Sequence, residues 1–370
     1  MLNNVFLNEF IYNEDDEEKK LLSNLEKKIK KKRKICEVSL LLLSLYKPIY
    51  RIDYLNCKLN NYFSSSMEFN YFLKFVFNDP KYEKEIVKSI KSISNFSNKT
   101  SKLIKKQYEE NPYPRWRYTE NVISEIDLND FAKKITKNDF YENFFKKPKI
   151  LIAGSGTGHQ VVQWSAIKDS EIFAVDLSKV SLAYSIRKTK EMDIKNVNHY
   201  NLDLLDLKLL DNKFDIIICT GCLHHMESPE DGLDSLLNFL KPDGLLKLGL
   251  YSRHARSEIK WAKEYIKKKK ISVTEENIKN FRSKIFTSKN KNFQFIRKSN
   301  DFFSLSNFRD LIFNYKEHCF DLFHIKKLLK SRKLKFLDFV GLPPHVLNEF
   351  STLNPDLNEK SRLELWNKYE

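Results

Sequence analysis

Lys149-Ile150-Leu151-Ile152-Ala153-Gly154-Ser155-Gly156-Thr157-Gly158-His159-Gln160 is the stretch that decides the fold. Four apolar or small residues run straight into glycines at alternate positions, and Val161 and Val162 then open a helical pattern. The pattern predicts a buried strand, a tight turn and a helix start. Glycine suits such a turn because its backbone angles exclude a side chain, and because only hydrogen leaves room for a ligand against the main chain. The free N–H groups of the following helix favour a carboxylate or phosphate. A second strand, Glu171-Ile172-Phe173-Ala174-Val175, ends on Asp176, about twenty residues past Gly156 and placed to accept hydrogen bonds from ribose hydroxyls. A nucleoside pocket is the first inference.

Dinucleotide folds favour G-x-G-x-x-G, whereas this chain reads G-x-G-x-G. Further segments follow in order: Asn201-Leu202-Asp203 after a third strand, Phe214-Asp215-Ile216-Ile217-Ile218-Cys219 as a fourth, and Leu223-His224-His225-Met226 after it. Leu240-Lys241-Pro242-Asp243-Gly244 then ends a helix and turns into a fifth strand. Taken together, these segments resemble the class I S-adenosylmethionine (SAM) methyltransferases. The resemblance implies a doubly wound, Rossmann-like α/β sheet of the seven-stranded methyltransferase type, here with an α-helical N-terminal cap. It also implies SAM as cofactor.

At 370 residues the chain exceeds one typical domain, and a 41% hydrophobic fraction fits a globular protein with a sizeable core. The net charge of +16 would suit nucleic acid, but lysine far outnumbers arginine, a bias that coding composition alone can produce. A small-molecule acceptor is therefore the expected partner, with RNA as the alternative. Five scattered cysteines make no disulfide framework and point to a reducing, cytoplasmic setting. Cys219 and Cys222 form a C-x-x-C without a second ligand pair, so no metal is expected. Met1 to Phe10 lacks the basic flank and cleavage site of a leader, and the apolar run Val38 to Tyr46 is too short to span a bilayer.

The charge and apolar patterns divide the chain into 1–35, a charged and frayed segment; 36–120, a helical cap and lid; and 121–254, the SAM-binding core. A lysine-rich helical insertion, 255–304, and a C-terminal completion of the core, 305–370, follow. Apolar residues at helical spacing mark the cap, and Asp79-Pro80 marks a helix start within it. Trp261, Tyr265 and Ile266 suggest an amphipathic surface helix in the insertion, with a membrane- or RNA-facing helix as the alternative. Lys335-Phe336-Leu337-Asp338-Phe339-Val340 reads as a late strand.

Between cap and core lies Gln107-Tyr108-Glu109-Glu110-Asn111-Pro112-Tyr113-Pro114-Arg115-Trp116-Arg117. Two prolines one residue apart hold this backbone extended. It is either a rigid strip displaying aromatics and arginines across a pocket, or a stiff linker plugging the seam. This segment, with Gly249-Leu250-Tyr251-Ser252 and Phe303-Ser304-Leu305-Ser306-Asn307-Phe308-Arg309, is similar to a bacterial methyltransferase subfamily often fused to tetratricopeptide repeats. No internal period of that kind occurs in this chain. Two departures stand out: Ile152 replaces the acidic residue many class I enzymes carry before the first glycine, and the chain stops at Glu370, where relatives run on into an aromatic-rich tail. The second leaves impaired activity open.

The resemblance implies that Gly154, Ser155, Gly156 and Gly158 bracket the methionine and ribose parts of SAM, that Asp176 takes the ribose diol, and that Asp203 with Leu204 meets adenine, with Leu177 and Cys222 also among the cofactor-binding residues. For Asp203 a plain turn residue is the competing account. His224 and His225 follow the fourth strand, at the sheet end where ligands bind, and either can serve as a general base or simply shape the turn. Where basic positions drift to lysine, remaining arginines suggest use of their planar fork. Arg115, Arg117, Arg253, Arg256 and Arg309 are thus candidates for an anionic acceptor, although pairing with Asp310 or Glu317 is favoured for Arg309. Tyr113, Trp116, Tyr251 and His318 complete the acceptor side. The alternatives to a small-molecule methyltransferase are an RNA or protein methyltransferase, a non-catalytic module of the same fold, and a nicotinamide-dependent oxidoreductase.

Overall fold

The computed structural model describes residues 7–118, 125–136, 138–354 and 362–369. Its centre is a parallel sheet of five strands, β1 (Lys149–Ala153), β2 (Glu171–Asp176), β3 (Val197–Asn201), β4 (Phe214–Thr220) and β5 (Leu240–Gly249), in the order β3-β2-β1-β4-β5. Every pairing is parallel, so each crossover passes over a face of the sheet. Both faces are buried. Ile150, Ile152, Ile172, Ala174, Ile216 and Ile218 pack on one side, while Leu151, Ala153, Phe173, Val175, Ile217 and Cys219 pack on the other. This alternation explains why the strands read as unbroken apolar runs. The strand order reverses direction between β1 and β4, and a crevice opens there beyond the carboxyl ends of the strands.

The expected late strand at 335–340 does not form; residues 334–339 carry no regular structure. Phe339 instead lies 5.4 Å from Trp366 of the helix Arg362–Tyr369, so aromatic packing takes the place of an edge pairing.

Helices cover the sheet's amino-terminal approach and its far end. The segment expected to fray is a formed helix, Asp16–Lys31, closed by a capping box between Asp15 and Glu18. Its Leu22 and Ile29 share a core with Leu40, Leu43, Phe69 and Phe77, so the boundary drawn at 35 falls inside one packed unit. The one drawn at 304 does too: Phe281, Phe293 and Phe302 pack with Phe308 and Ile312, with Ile11 from the start of the chain inserted among them. Here the lysine-rich stretch is three helices, Ser257–Lys268, Glu275–Thr287 and Lys291–Arg297, whose aromatic faces turn inward. The boundary at 120 lies outside the described residues. The helix at Asp79 starts where expected, but it continues from Met67–Leu73 through a π turn, Lys74–Asn78. Such a turn absorbs the N–H that Pro80 lacks. Among the described residues no helix is long and apolar enough to cross a membrane.

Two polar clasps tie these layers together. Glu9 accepts the backbone N–H of Ser306 at 2.6 Å and pairs with Arg115 at 2.9 Å, so the start of the chain holds both the C-terminal helices and the proline segment. Arg187, on the helix Lys179–Glu191, meets Glu83 at 2.7 Å and Asp79 at 3.4 Å across the cap boundary. All three side chains are at most 12% exposed. Removing one member of such a buried set strands the others without a counter-charge. Arg187→Met is expected to lower stability by about 3–5 kcal/mol, read as a drop in the urea midpoint; an unchanged midpoint would show that this clasp is idle.

Candidate active site

All five strands deliver residues to one cavity of about 430 Å3 at their carboxyl ends, within the size range of small-molecule pockets. Gly154, Ser155 and Gly156 follow β1, Asp176 and Leu177 end β2, Leu202 to Leu204 follow β3, Thr220 to Cys222 follow β4, and Gly249 to Tyr251 follow β5. The glycine turn is pinned from below, since Gly154 N and Ser155 N both donate to the Val175 carbonyl at 2.9 Å. Asp176 then fixes its tip: one carboxylate oxygen accepts Gly156 N at 2.8 Å and the other accepts Ser178 N at 2.8 Å. Each oxygen keeps a lone pair for a ligand. Burial pushes this carboxyl up to about 6, and the two backbone N–H groups hold it from rising further.

Two of the glycines have separate reasons to be glycine. Gly156 has φ +54°, and a Cβ there would sit 2.9 Å from the Tyr113 carbonyl oxygen. Gly158 has φ +87°, and its Cβ would strike the Ser185 hydroxyl of the helix Lys179–Glu191 at 2.2 Å. Gly158 does not line the cavity. Its close approach to Ser185 gives it a packing role like the one dinucleotide folds give their third glycine.

The proline segment lies directly on this turn. The Thr157 hydroxyl donates to the Pro114 carbonyl, and Trp116 Nε1 donates to the Thr157 carbonyl at 3.2 Å. Tyr113 and Pro114 line the cavity. Trp116 does not; it packs behind the turn with Val162 and Tyr184. Strip and plug, the two accounts of this segment, are thus both present in alternate residues. Ahead of it the helix Lys99–Glu110 roofs the cavity with Thr100, Ser101, Ile104 and Tyr108, which share one face.

Opposite the glycine turn the wall is aromatic and polar. His224 is fully buried, lies 3.9 Å from the Tyr251 ring and 4.3 Å from that of His225, and has no hydrogen-bond partner on either ring nitrogen among the described residues. Burial, with His225 adjacent, presses its pKa down to about 2. His225 Nδ1 donates to the Lys316 carbonyl at 2.7 Å in the tautomer that satisfies both groups, which leaves Nε2 as the acceptor, 3.8 Å from the Asp310 carboxylate. Asp310 in turn accepts the Tyr108 hydroxyl at 2.6 Å. Asp203 lines the cavity and also caps its own turn through Leu205 N at 3.1 Å, so the two accounts of it coexist.

The expected arginines are elsewhere. Arg115 pairs with Glu9, Arg253 with Asp321 at 2.7 Å, and Arg309 with Glu110 at 2.7 Å. Arg117 stacks on Phe75 at 3.5 Å, and Arg256 grips Glu317 through two bonds of 3.1 and 2.8 Å while covering the Tyr251 ring. Burial acts to raise Glu317, but Arg256 and Lys263 hold it down to about 2. None of these arginines lines the cavity, nor does His318, whose Nε2 bonds the Met226 carbonyl at 3.1 Å. Arg115, Arg256 and Arg309 are largely buried and found partners inside the fold because a buried guanidinium needs one, whereas the Arg253 pair lies at the surface. Tyr108, Asp310 and the Thr100–Ile104 face escaped the sequence, although the 100, 101, 104, 108 spacing was there to be read as one helix face.

Residues 150–244 match the family model described as a methyltransferase domain. The match runs from β1 into β5, so it spans the strands that build the cavity. The site fits the S-adenosylmethionine that the sequence resemblance implies: a cradle only glycine permits, a buried carboxylate with spare lone pairs beside it, and a cavity of suitable size. Among curated proteins, the chain is 36% identical over 122 residues to the uncharacterized protein syc1184_c of Synechococcus, covering 32% of this chain and 29% of that one. It is 24% identical over 138 residues to phosphoethanolamine N-methyltransferase 2 of Caenorhabditis elegans, covering 37% and 31%. The chain thus spans less than a third of the length of either. Among solved structures it is similar to PKMT2 from Rickettsia typhi in complex with AdoHcy, with a TM-score of 0.44 at 18% identity over 60% of this chain and 46% of that chain. It is also similar to magnesium protoporphyrin IX methyltransferase from Synechocystis, with a TM-score of 0.32 at 15% identity over 44% and 80%.

The Asp176 shift makes the domain's cofactor affinity depend on pH. Ribose hydroxyls need the ionised carboxylate, so affinity should be flat above about pH 7 and fall as pH drops through 6, approaching tenfold per unit. The ligand-free protein moves the other way: a raised carboxyl contributes stability below its unfolded value and loses it as pH rises through 6. Calorimetry with SAM from pH 5 to 8 reads the first effect, and Asp176→Asn should abolish it. A wild-type affinity that ignored pH would contradict the assignment.

Proposed function

We propose that this chain transfers the methyl group of SAM to a small acceptor held between the glycine turn and the His225–Asp310 wall. One observation carries the reading: the ends of all five parallel strands converge on one cavity lined by both the Asp176 carboxylate and His225. Gly154, Ser155 and Gly156 would lie along the methionine part, Asp176 with Leu177 would accept the ribose hydroxyls, and Asp203, Leu204 and Cys222 would border the adenine. When bound, SAM supplies a methyl group already activated by its sulfonium. What remains for the protein is to align the nucleophile and exclude water, a task that can supply on the order of 7–11 kcal/mol. Tyr113, Pro114 and the roof helix are placed to do the excluding.

Proton removal falls to His225. His224, pressed to about 2 by burial and its neighbour, stays neutral and too weakly basic at any working pH, so the pair of candidate bases reduces to one. His225 borders the cavity, with its Nε2 3.8 Å from the Asp310 carboxylate. An anionic acceptor loses its support, because neither lysine nor arginine is among the residues lining the cavity. We further place the chain beside the subfamily fused to tetratricopeptide repeats, on the Gln107–Trp116 and Gly249–Ser252 segments.

The test is incubation of the protein with SAM carrying a labelled methyl group in a lysate of its host, where a labelled product is expected. Asp176→Ala should weaken SAM binding roughly ten- to a hundredfold, the loss of a charge-assisted hydrogen bond. His225→Gln should cut turnover by about 10² or more while leaving SAM affinity unchanged. Full turnover in His225→Gln would remove it from the chemistry.

A further inference from the structure

We propose that the acceptor is an amine, and that the Asp310 carboxylate receives it as an ammonium ion beside Tyr108. The inference rests on the methyl-transfer reading and specifies its substrate class.

Asp310 lies on the helix Leu305–Ile312, is 3% exposed, and borders the cavity. Its hydrogen-bond donors are neutral: the Tyr108 hydroxyl at 2.6 Å and Gln107 Nε2 at 3.5 Å. Among the described residues no lysine or arginine nitrogen comes within the 4.0 Å of an ion pair. The nearby cations make their ion pairs elsewhere: Arg309, its neighbour in sequence, turns out to Glu110, while Arg256 and Lys263 pair with Glu317 and act on Asp310 only from beyond ion-pair distance. A carboxylate removed from water without a counter-charge is costly, and one left so at the edge of a cavity is an invitation to a cation from outside the chain.

The rest of the lining agrees. Tyr108, Tyr113 and Tyr251 bring three phenol rings to the lining of the cavity, and aromatic faces attract an ammonium. An acidic acceptor would meet Asp176, Asp203 and Asp310 in one cavity. A neutral hydroxyl would leave Asp310 uncompensated.

The chemistry then closes on groups already in place. The bound ammonium gives one proton to His225 Nε2, 3.8 Å from the same carboxylate. The freed nitrogen lone pair attacks the methyl carbon, the N–CH3 bond forms, and the C–S bond breaks with its electron pair staying on sulfur as a neutral thioether. The product leaves as a methylated ammonium and His225 returns its proton to solvent, so atoms and charge balance.

The test takes the labelled host lysate and asks what chemistry holds the methyl group. Label that survives mild base and is retained on a cation exchanger is expected. Label released by base as volatile methanol marks a carboxyl ester, and stable label that is not retained marks an ether or carbon linkage; either result overturns the proposal while leaving methyl transfer intact. Failure of the protein to bind SAM would instead defeat the reading beneath it. With the labelled amine in hand, Asp310→Asn should raise its KM roughly 10- to 100-fold, as for a lost charge-assisted contact, with SAM affinity and melting temperature unchanged. Tyr108→Phe, which keeps the ring, should raise KM in the same direction by a smaller factor and serves if Asp310→Asn does not fold. Unchanged amine KM in a folded variant at either position would mean that Asp310 is only a structural partner of His225.

Discussion

One carboxylate organises the cofactor end of this protein. Asp176 closes β2 and takes the N–H of Gly156, so the strand end and the tip of the glycine turn are a single rigid corner. The corner needs glycine at 156 because the proline segment lies against it, with the Tyr113 carbonyl where a side chain would be. Turn, segment and roof helix are therefore stacked in one order: the sheet positions the turn, the turn positions Tyr113 and Pro114, and these close the cavity. A buried carboxyl held near 6 shows that this corner keeps its charge in a setting that resists it.

At the opposite wall the same physics acts through different partners. Arg256 and Lys263 bind Glu317, and Glu317 stays ionised although burial acts against it. That arrangement removes positive charge from the cavity and leaves Asp310 with neutral donors. The guanidinium of Arg256 also lies 3.8 Å from the Tyr251 ring, whose other neighbour is His224. The wall is thus aromatic on its surface and cationic one layer behind it, and burial above all keeps His224 neutral.

How much of this was legible beforehand follows from the range of each interaction. The strand, turn and second strand announce themselves because period, glycine spacing and the acidic residue all lie within thirty residues, and Gly156 and Asp176 of that span line the cavity. Tyr108 and Asp310 are separated by 202 positions, and no local pattern joins them. The arginines misled for a physical reason: a fork suited to an external anion is equally suited to Glu9, Glu110, Asp321 or Glu317, and composition cannot distinguish the two. Lys335 to Val340 failed as a strand because alternation fits a segment whose Phe339 leans on a helix as well as one that joins a sheet. The helix Asp16–Lys31 held because capping groups at its start outweighed the charge runs that suggested fraying.

The hydrogen bond between Glu9 and Ser306 joins positions 297 apart, and the same carboxylate holds Arg115 two residues beyond Tyr113. The piece of chain that shuts the cavity is consequently anchored by a contact between segments far apart in the chain, one ahead of the cap helices and one after the fifth strand. Strands and glycine corner can assemble during synthesis from neighbours in sequence, but the cover over them waits for the C-terminal helices. A nascent protein would carry its adenosyl cradle open to water until then, and would gain a dry chamber only when its helical layers had met.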